Sequence, residues 1–192
     1  MRSMAPWMGV DVGGRRKAFD VALVDDERLI GCRSRQSVDG VVAWVESAGP
    51  AVVAVDGPRS CARPGRTHRP EEKELRDAVC GIRWTPPRAQ LDGNPYYEWI
   101  VEGLRLYDAL AQRPVEVVEC FPTASWTRWH GARGGMGRSA WTRQALAARG
   151  LRGVPSRTNQ DLRDAIAAAL TARDYGQGRC QRFGDIVVPR AA

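Results

Sequence analysis

The sequence has little of what a thiolate-metal, disulfide-bonded or membrane protein needs. Its five cysteines, Cys32, Cys61, Cys80, Cys120 and Cys180, are an odd number at wide spacing, with no C-x-x-C pair. With His68 and His130 as the only histidines, the close ligand pairs of a zinc site are missing, and buried free thiols are the expected state. The longest uninterrupted apolar run, Ala165 to Leu170, is far short of the ~20 residues that span a bilayer. No apolar stretch near Met1 has the form of a secretory segment. These absences predict a soluble, cytoplasmic protein without a membrane partner. Lysine is also scarce, with Lys17 and Lys73 standing alone, and no acid occurs between Cys120 and Gln160.

What is present fits a folded globular chain. Hydrophobic residues make up 43% of the 192 and charged residues 27%, a balance that supports a packed core. Twenty-nine bases against 22 acids give a formal net charge of +7, which points to an anionic partner only once the charges are located. The length suits one domain over residues 1–192, with basic loop and helix insertions near 59–95 and 120–157.

Residues 7–12, 18–24 and 28–32 alternate like strands and break at Gly13-Gly14 and Asp25-Asp26, which predicts an antiparallel meander. Asp39 to Glu46 reads as a helix with Asp39 as N-cap and Gly49 past its end. The apolar run Ala51 to Val55, closed by Asp56-Gly57-Pro58, predicts a central strand buried on both faces. A polar loop follows from Arg59 to Arg69, then a helix from Pro70, and a longer helix behind Asn94-Pro95. Val115 to Glu119 reads as another strand stopped at Phe121-Pro122, and Ser139 to Ala148 as a helix ending at Gly150. Thr158 or Asn159 caps a last helix from Gln160 to about Tyr175, and Ile186 to Val188 reads as a short edge strand. The order β-β-β-α-β-α-β-α predicts an α/β fold of RNase H-like type: a mixed sheet, an antiparallel three-strand meander followed by parallel strands, flanked by helices.

The acids fall at element ends. Asp11 closes the first strand, Asp56 the central strand and Glu119 the next, while Asp161 and Asp164 lie three apart on one helix face. Converging carboxylates repel one another unless a cation neutralises them. Magnesium takes oxygen ligands, and two ions ~3.5–4 Å apart are a standard clamp for in-line phosphoryl displacement.

Gly9-Val10-Asp11-Val12-Gly13-Gly14, Val53-Ala54-Val55-Asp56-Gly57-Pro58, Val118-Glu119-Cys120-Phe121-Pro122 and the segment Asp161 to Ala172 together resemble the motifs of a bacterial and archaeal family. That family is the domain of unknown function 429, described as predicted RNase H-like nucleases, and the resemblance runs over about residues 8 to 175. The last segment is also similar to the final acidic helix of RuvC-type Holliday-junction resolvases. The resemblance implies a hydrolase cutting phosphodiester bonds of DNA or RNA, with Asp11, Asp56, Asp161 and Asp164 holding Mg2+ or Mn2+, as two ions. Glu119 matches the family's strand motif and joins the catalytic set. Resolvases carry Glu where Asp56 stands.

The acid-free stretch holds Arg128, Arg133, Arg138, Arg143, Arg149, Arg152 and Arg157, interleaved with Trp126, Trp129 and Trp141 and a Gly134-Gly135-Met136-Gly137 link. A second basic loop, with Arg59, Arg63, Arg66 and Arg69, follows Asp56 directly. Arginine offers bidentate phosphate contact and aromatics stack on unpaired bases. A nucleic-acid interface is therefore expected at Arg59, Arg63, Arg66, Arg69, Arg128, Arg133, Arg138 and Arg143, and a homodimer is compatible with the sequence. Two other readings stand beside the nuclease. One is a nucleic-acid-binding protein that keeps the fold without catalysis. The other rests on Asp11 to Lys17, which also resembles the first phosphate loop of actin-like ATPases and sugar kinases, although this sequence holds no second such loop.

Overall fold

The computed structural model describes residues 5–191. Its strands are β1 (Trp7–Asp11), β2 (Phe19–Val24), β3 (Leu29–Gln36), β4 (Val52–Asp56), β5 (Glu116–Cys120), β6 (Cys180–Phe183) and β7 (Ile186–Pro189). They form one mixed sheet in the order β3-β2-β1-β4-β5-β7-β6. β1, β2 and β3 are the antiparallel meander; β1, β4, β5 and β7 run parallel. The fold class read from the sequence is the fold observed. One detail differs at the far edge. Ile186–Pro189 is an inner strand between β5 and β6, because the chain doubles back through an antiparallel β6–β7 hairpin that makes β6 the edge.

Six helices cover the two faces: α1 (Val38–Ala48), α2 (Pro70–Ala78), α3 (Glu98–Leu110), α4 (Pro122–His130), α5 (Arg138–Ala148) and α6 (Gln160–Gly176). Strand side chains alternate between faces, so Met8, Val10, Val53 and Val55 pack with α1 and α3, while Trp7, Ala54, Val118 and Cys120 pack with α4, α5 and α6. The sequence missed α4. Phe121-Pro122 ends a strand, but Pro122 is also the first residue of the next helix, where a missing N–H costs nothing. Two caps also move. Ser37, not Asp39, caps α1, its Oγ accepting from the Gly40 N–H at 3.1 Å. Asn159 caps α6, accepting from the Leu162 N–H at 2.8 Å.

The contact that positions the site is α6 against β1. A Cβ at Gly9 would stand 2.0 Å from the Ala169 nitrogen and 2.3 Å from the Ala165 oxygen, so the helix backbone lies directly on the strand. Ala165, Ala168, Ala169 and Ala172 are fully buried and keep that approach open. The helix N-terminus is thereby held beside the C-terminal end of β1.

Cysteine burial follows the expectation only in part. All five thiols are free, but only Cys120 is buried, and Cys32 is exposed on β3. The tryptophans read as base-stacking candidates are core instead. Trp126 and Trp141 are fully buried against α6, and Trp129 packs at the margin of the same cluster beneath the Arg149 guanidinium.

Candidate active site

Register decides which acids meet. Asp11 pairs with Asp20 on β2 and with Asp56 on β4, so three carboxylates stand side by side across three strands on the α6 face. Asp161 and Asp164 reach the same place from the first turns of α6. One carboxylate oxygen from each of Asp11, Asp20 and Asp161 lies within 4.8 Å of the others. That donor set, all hard oxygen, suits a divalent cation such as Mg2+ or Mn2+. Asp20 was not among the residues the sequence singled out. It interrupts the run Phe19-Asp20-Val21-Ala22-Leu23-Val24, and an acid inside an otherwise apolar strand, opposite Asp11 in a hairpin, was the available signal.

The electrostatics show how crowded the cluster is. Burial, reinforced by the Asp164 and Asp161 carboxylates, pushes Asp11 up to about 8. Burial pushes Asp56 well above the usual carboxylate range too, with Asp11 and Asp164 adding to it. Two tethered cations partly offset the charge. The Lys17 ammonium donates to Asp161 Oδ1 at 2.6 Å, and the Arg138 guanidinium to Asp164 Oδ2 at 2.9 Å. Asp164 is further fixed by the Trp126 indole N–H at 3.3 Å and the Gln160 amide at 3.0 Å. Trp126 thus serves the site as an orienting donor rather than as a surface for bases.

Glu119 is not part of this cluster. In the β4–β5 register it stands opposite Val55, whereas Cys120 stands opposite Asp56, so its side chain leaves the other face of the sheet. It is buried and held by Arg69, with 2.9 Å and 2.5 Å between guanidinium and carboxylate, and by the Arg59 backbone N–H at 2.8 Å. Burial raises its pKa, against the Arg69 hydrogen bonds that lower it. Arg69 also donates to Glu72 at 3.0 Å, and Glu72 accepts the Thr85 N–H at 3.1 Å. The expected phosphate contact at Arg69 is corrected accordingly: at 3% exposure it is an internal pin that fastens the 59–69 loop to β5 and α2.

A cleft of about 1010 Å³ opens over the cluster and is lined by Asp11, Asp56, Asp161 and Asp164 together with Arg83, Thr85 and Phe121. Of the arginines expected to meet nucleic acid, Arg133 and Arg138 line it, and so does the buried, internally paired Arg69. Arg59, Arg63, Arg66 and Arg143 are exposed outside its lining, with Arg59 bonded to the Val117 carbonyl at 2.8 Å. Half-buried Arg128 turns to Gln181 on β6 at 3.3 Å. No helix among the described residues is long and apolar enough to cross a membrane.

Two solved structures share this architecture. The Thermus thermophilus RuvC structure superposes at a TM-score of 0.50 with 17% identity, covering 89% of this chain and 95% of that one. T. thermophilus RuvC in complex with a Holliday junction substrate superposes at 0.54 with 16% identity, covering 90% and 96%. At such identities the likeness establishes the RNase H-like fold alone. No curated protein matches the sequence. Over residues 9–187 it matches the model of a family described as "Protein of unknown function (DUF429)", and the chain belongs to that family.

Proposed function

We propose that this protein is a divalent-metal-dependent nuclease hydrolysing phosphodiester bonds of DNA or RNA. The observation that carries the reading is the convergence of Asp11, Asp20, Asp56, Asp161 and Asp164 on one sheet face, where all but Asp20 line a cleft shared with arginines. Five carboxylates against two tethered cations are crowded enough that burial and mutual repulsion hold protons on Asp11 and Asp56 in the metal-free protein, and a bound divalent cation would relieve that crowding by replacing those protons. The fold likeness to RuvC bound to a Holliday junction supports a nucleic-acid substrate.

Asp11, Asp20 and Asp161 would hold one ion, with Asp56 and Asp164 extending the ligand set towards a second. When bound, such ions supply Lewis acidity at a phosphate oxygen and a water acidified towards hydroxide. The chain's own part is preorganisation. β1, β2 and β4 fix three carboxylates in register, α6 fixes two, and Trp126 and Gln160 orient Asp164. Arg133 and Arg138 stand where a polyanion crossing the cleft would pass. Asp56 lies beside Asp11 in register, so the shorter acid at the position where resolvases carry Glu still reaches the cluster.

The test is purified protein with Mn2+ or Mg2+ on single-stranded, duplex and junction substrates. Cutting that is lost in EDTA, and in Asp11→Asn and Asp164→Asn proteins that keep their fold, is the expected result. Unchanged cutting by both variants would refute the assignment.

A further inference from the structure

Lys17 sits in the tight turn between β1 and β2, where its own N–H and that of Ala18 both donate to the Gly14 carbonyl, at 2.9 and 2.8 Å. That turn aims the ammonium back over the sheet edge at Asp161, a member of the oxygen trio with Asp11 and Asp20. The side chain is 57% exposed, and the charged hydrogen bond to Asp161 is what holds it there. The residue type is informative. Every other base in the sequence except Lys73 is arginine, yet the base that touches the trio is lysine. A guanidinium would lock a carboxylate through two parallel bonds; an ammonium is a hydrated point charge on a flexible stem, and leaves more readily.

Resting on the reading of the trio as a metal site, we infer that Lys17 is an exchangeable counter-cation. It neutralises Asp161 while the trio is empty, gives way when a divalent ion arrives, and is then free to meet a substrate phosphate at the mouth of the cleft it lines. Metal and polyanion binding are thereby coupled through one side chain: the ion releases the ammonium, and the ammonium adds to polyanion affinity. By linkage the coupling runs both ways.

The experiment titrates Mn2+ into the full-length wild type and into Lys17→Met, Lys17→Arg and Lys73→Met proteins by calorimetry. Binding of a labelled oligonucleotide is followed in Ca2+ alongside. Lys17→Met should bind Mn2+ roughly fivefold more tightly, the scale of one partly exposed ion pair, while its Ca2+-dependent gain in oligonucleotide affinity shrinks. Lys17→Arg should bind Mn2+ no more tightly than wild type, and Lys73→Met, whose lysine pairs with Asp77 on α2, should match wild type in both assays. Mn2+ binding that is unchanged or weaker in Lys17→Met overturns the exchange role, as does an undiminished Ca2+-dependent gain. Absence of Mn2+ binding in every variant overturns the metal site itself. Binding that appears only once Lys17 is removed supports the exchange in its strongest form.

Discussion

At the scale of single residues, the same carboxylates that would serve chemistry work against the fold when no metal is bound. In metal-free protein Asp11 keeps its proton up to about pH 8, against an ordinary value of 3.8 in the unfolded chain. Between those values the folded state binds more protons than the unfolded one, so stability falls as pH rises across that window and levels off above it. Thermal melts in EDTA should show this decline, and Asp11→Asn should flatten it while raising Tm near neutral pH by about 3 °C, even as it removes activity. A pH-independent Tm, or a less stable Asp11→Asn protein, would contradict the origin given for the shift. Glu119 is the opposite kind of acid. Its value lies in pairing with buried Arg69, so Glu119→Ala should cost ~3–5 kcal/mol by leaving that guanidinium short of a partner. Mn2+ affinity should stay at the wild-type level in any folded Glu119 variant, which calorimetry checks directly.

At the scale of elements, the site depends on how closely α6 lies on β1. Gly9→Ala would drive a methyl into the helix backbone at Ala165 and Ala169, where no side chain can swing away. A loss of ~3 kcal/mol or more is expected in denaturant unfolding, with weaker metal binding because Asp161 and Asp164 shift off Asp11. A protein of wild-type stability would show that the helix can lift without cost. The meander, the central strand and the acidic helix were legible in the sequence because each is a local pattern: alternation, an apolar run, a cap followed by small residues. Asp11, Asp56, Asp161 and Asp164 were legible for the same reason, since the first three sit at element ends and Asp164 shares a helix face with Asp161. Asp20 and Glu119 were not, because their roles depend on register and parity across strands. Asp20 is brought in by pairing with Asp11, and Glu119 is turned away by standing one residue before Cys120. Arg69 escaped because its partner Glu119 lies 50 residues off, a distance over which loop composition says nothing. The tryptophans of the basic segment were legible as aromatic but not as buried, since α4 and α5 fold their indoles inward while the arginines between them face out.

At the scale of the whole molecule, the net charge of +7 has an address. The stretch between Cys120 and Gln160 carries seven arginines and no acid, so the remainder of the chain is electrically balanced. Folding does not deliver all of that charge to one place. Arg133 and Arg138 come to the cleft, Arg143 stands exposed on α5 outside it, and Arg128 points to the sheet edge. Polyanion binding by such a surface works by releasing condensed counterions, so the observed affinity should fall with salt at a slope of about −0.7 to −0.9 per phosphate contacted. Arg133→Gln should reduce that slope by about one contact and weaken binding to different sequences alike, whereas Arg128→Gln should leave the slope unchanged. Fluorescence anisotropy of an oligonucleotide across a salt series, in Ca2+ to suppress cutting, separates these cases. A slope near zero would detach the basic segment from substrate binding. An equal loss in both variants would mean that the whole cationic stretch acts as a diffuse field, and that the placement of Arg133 in the cleft carries no special weight.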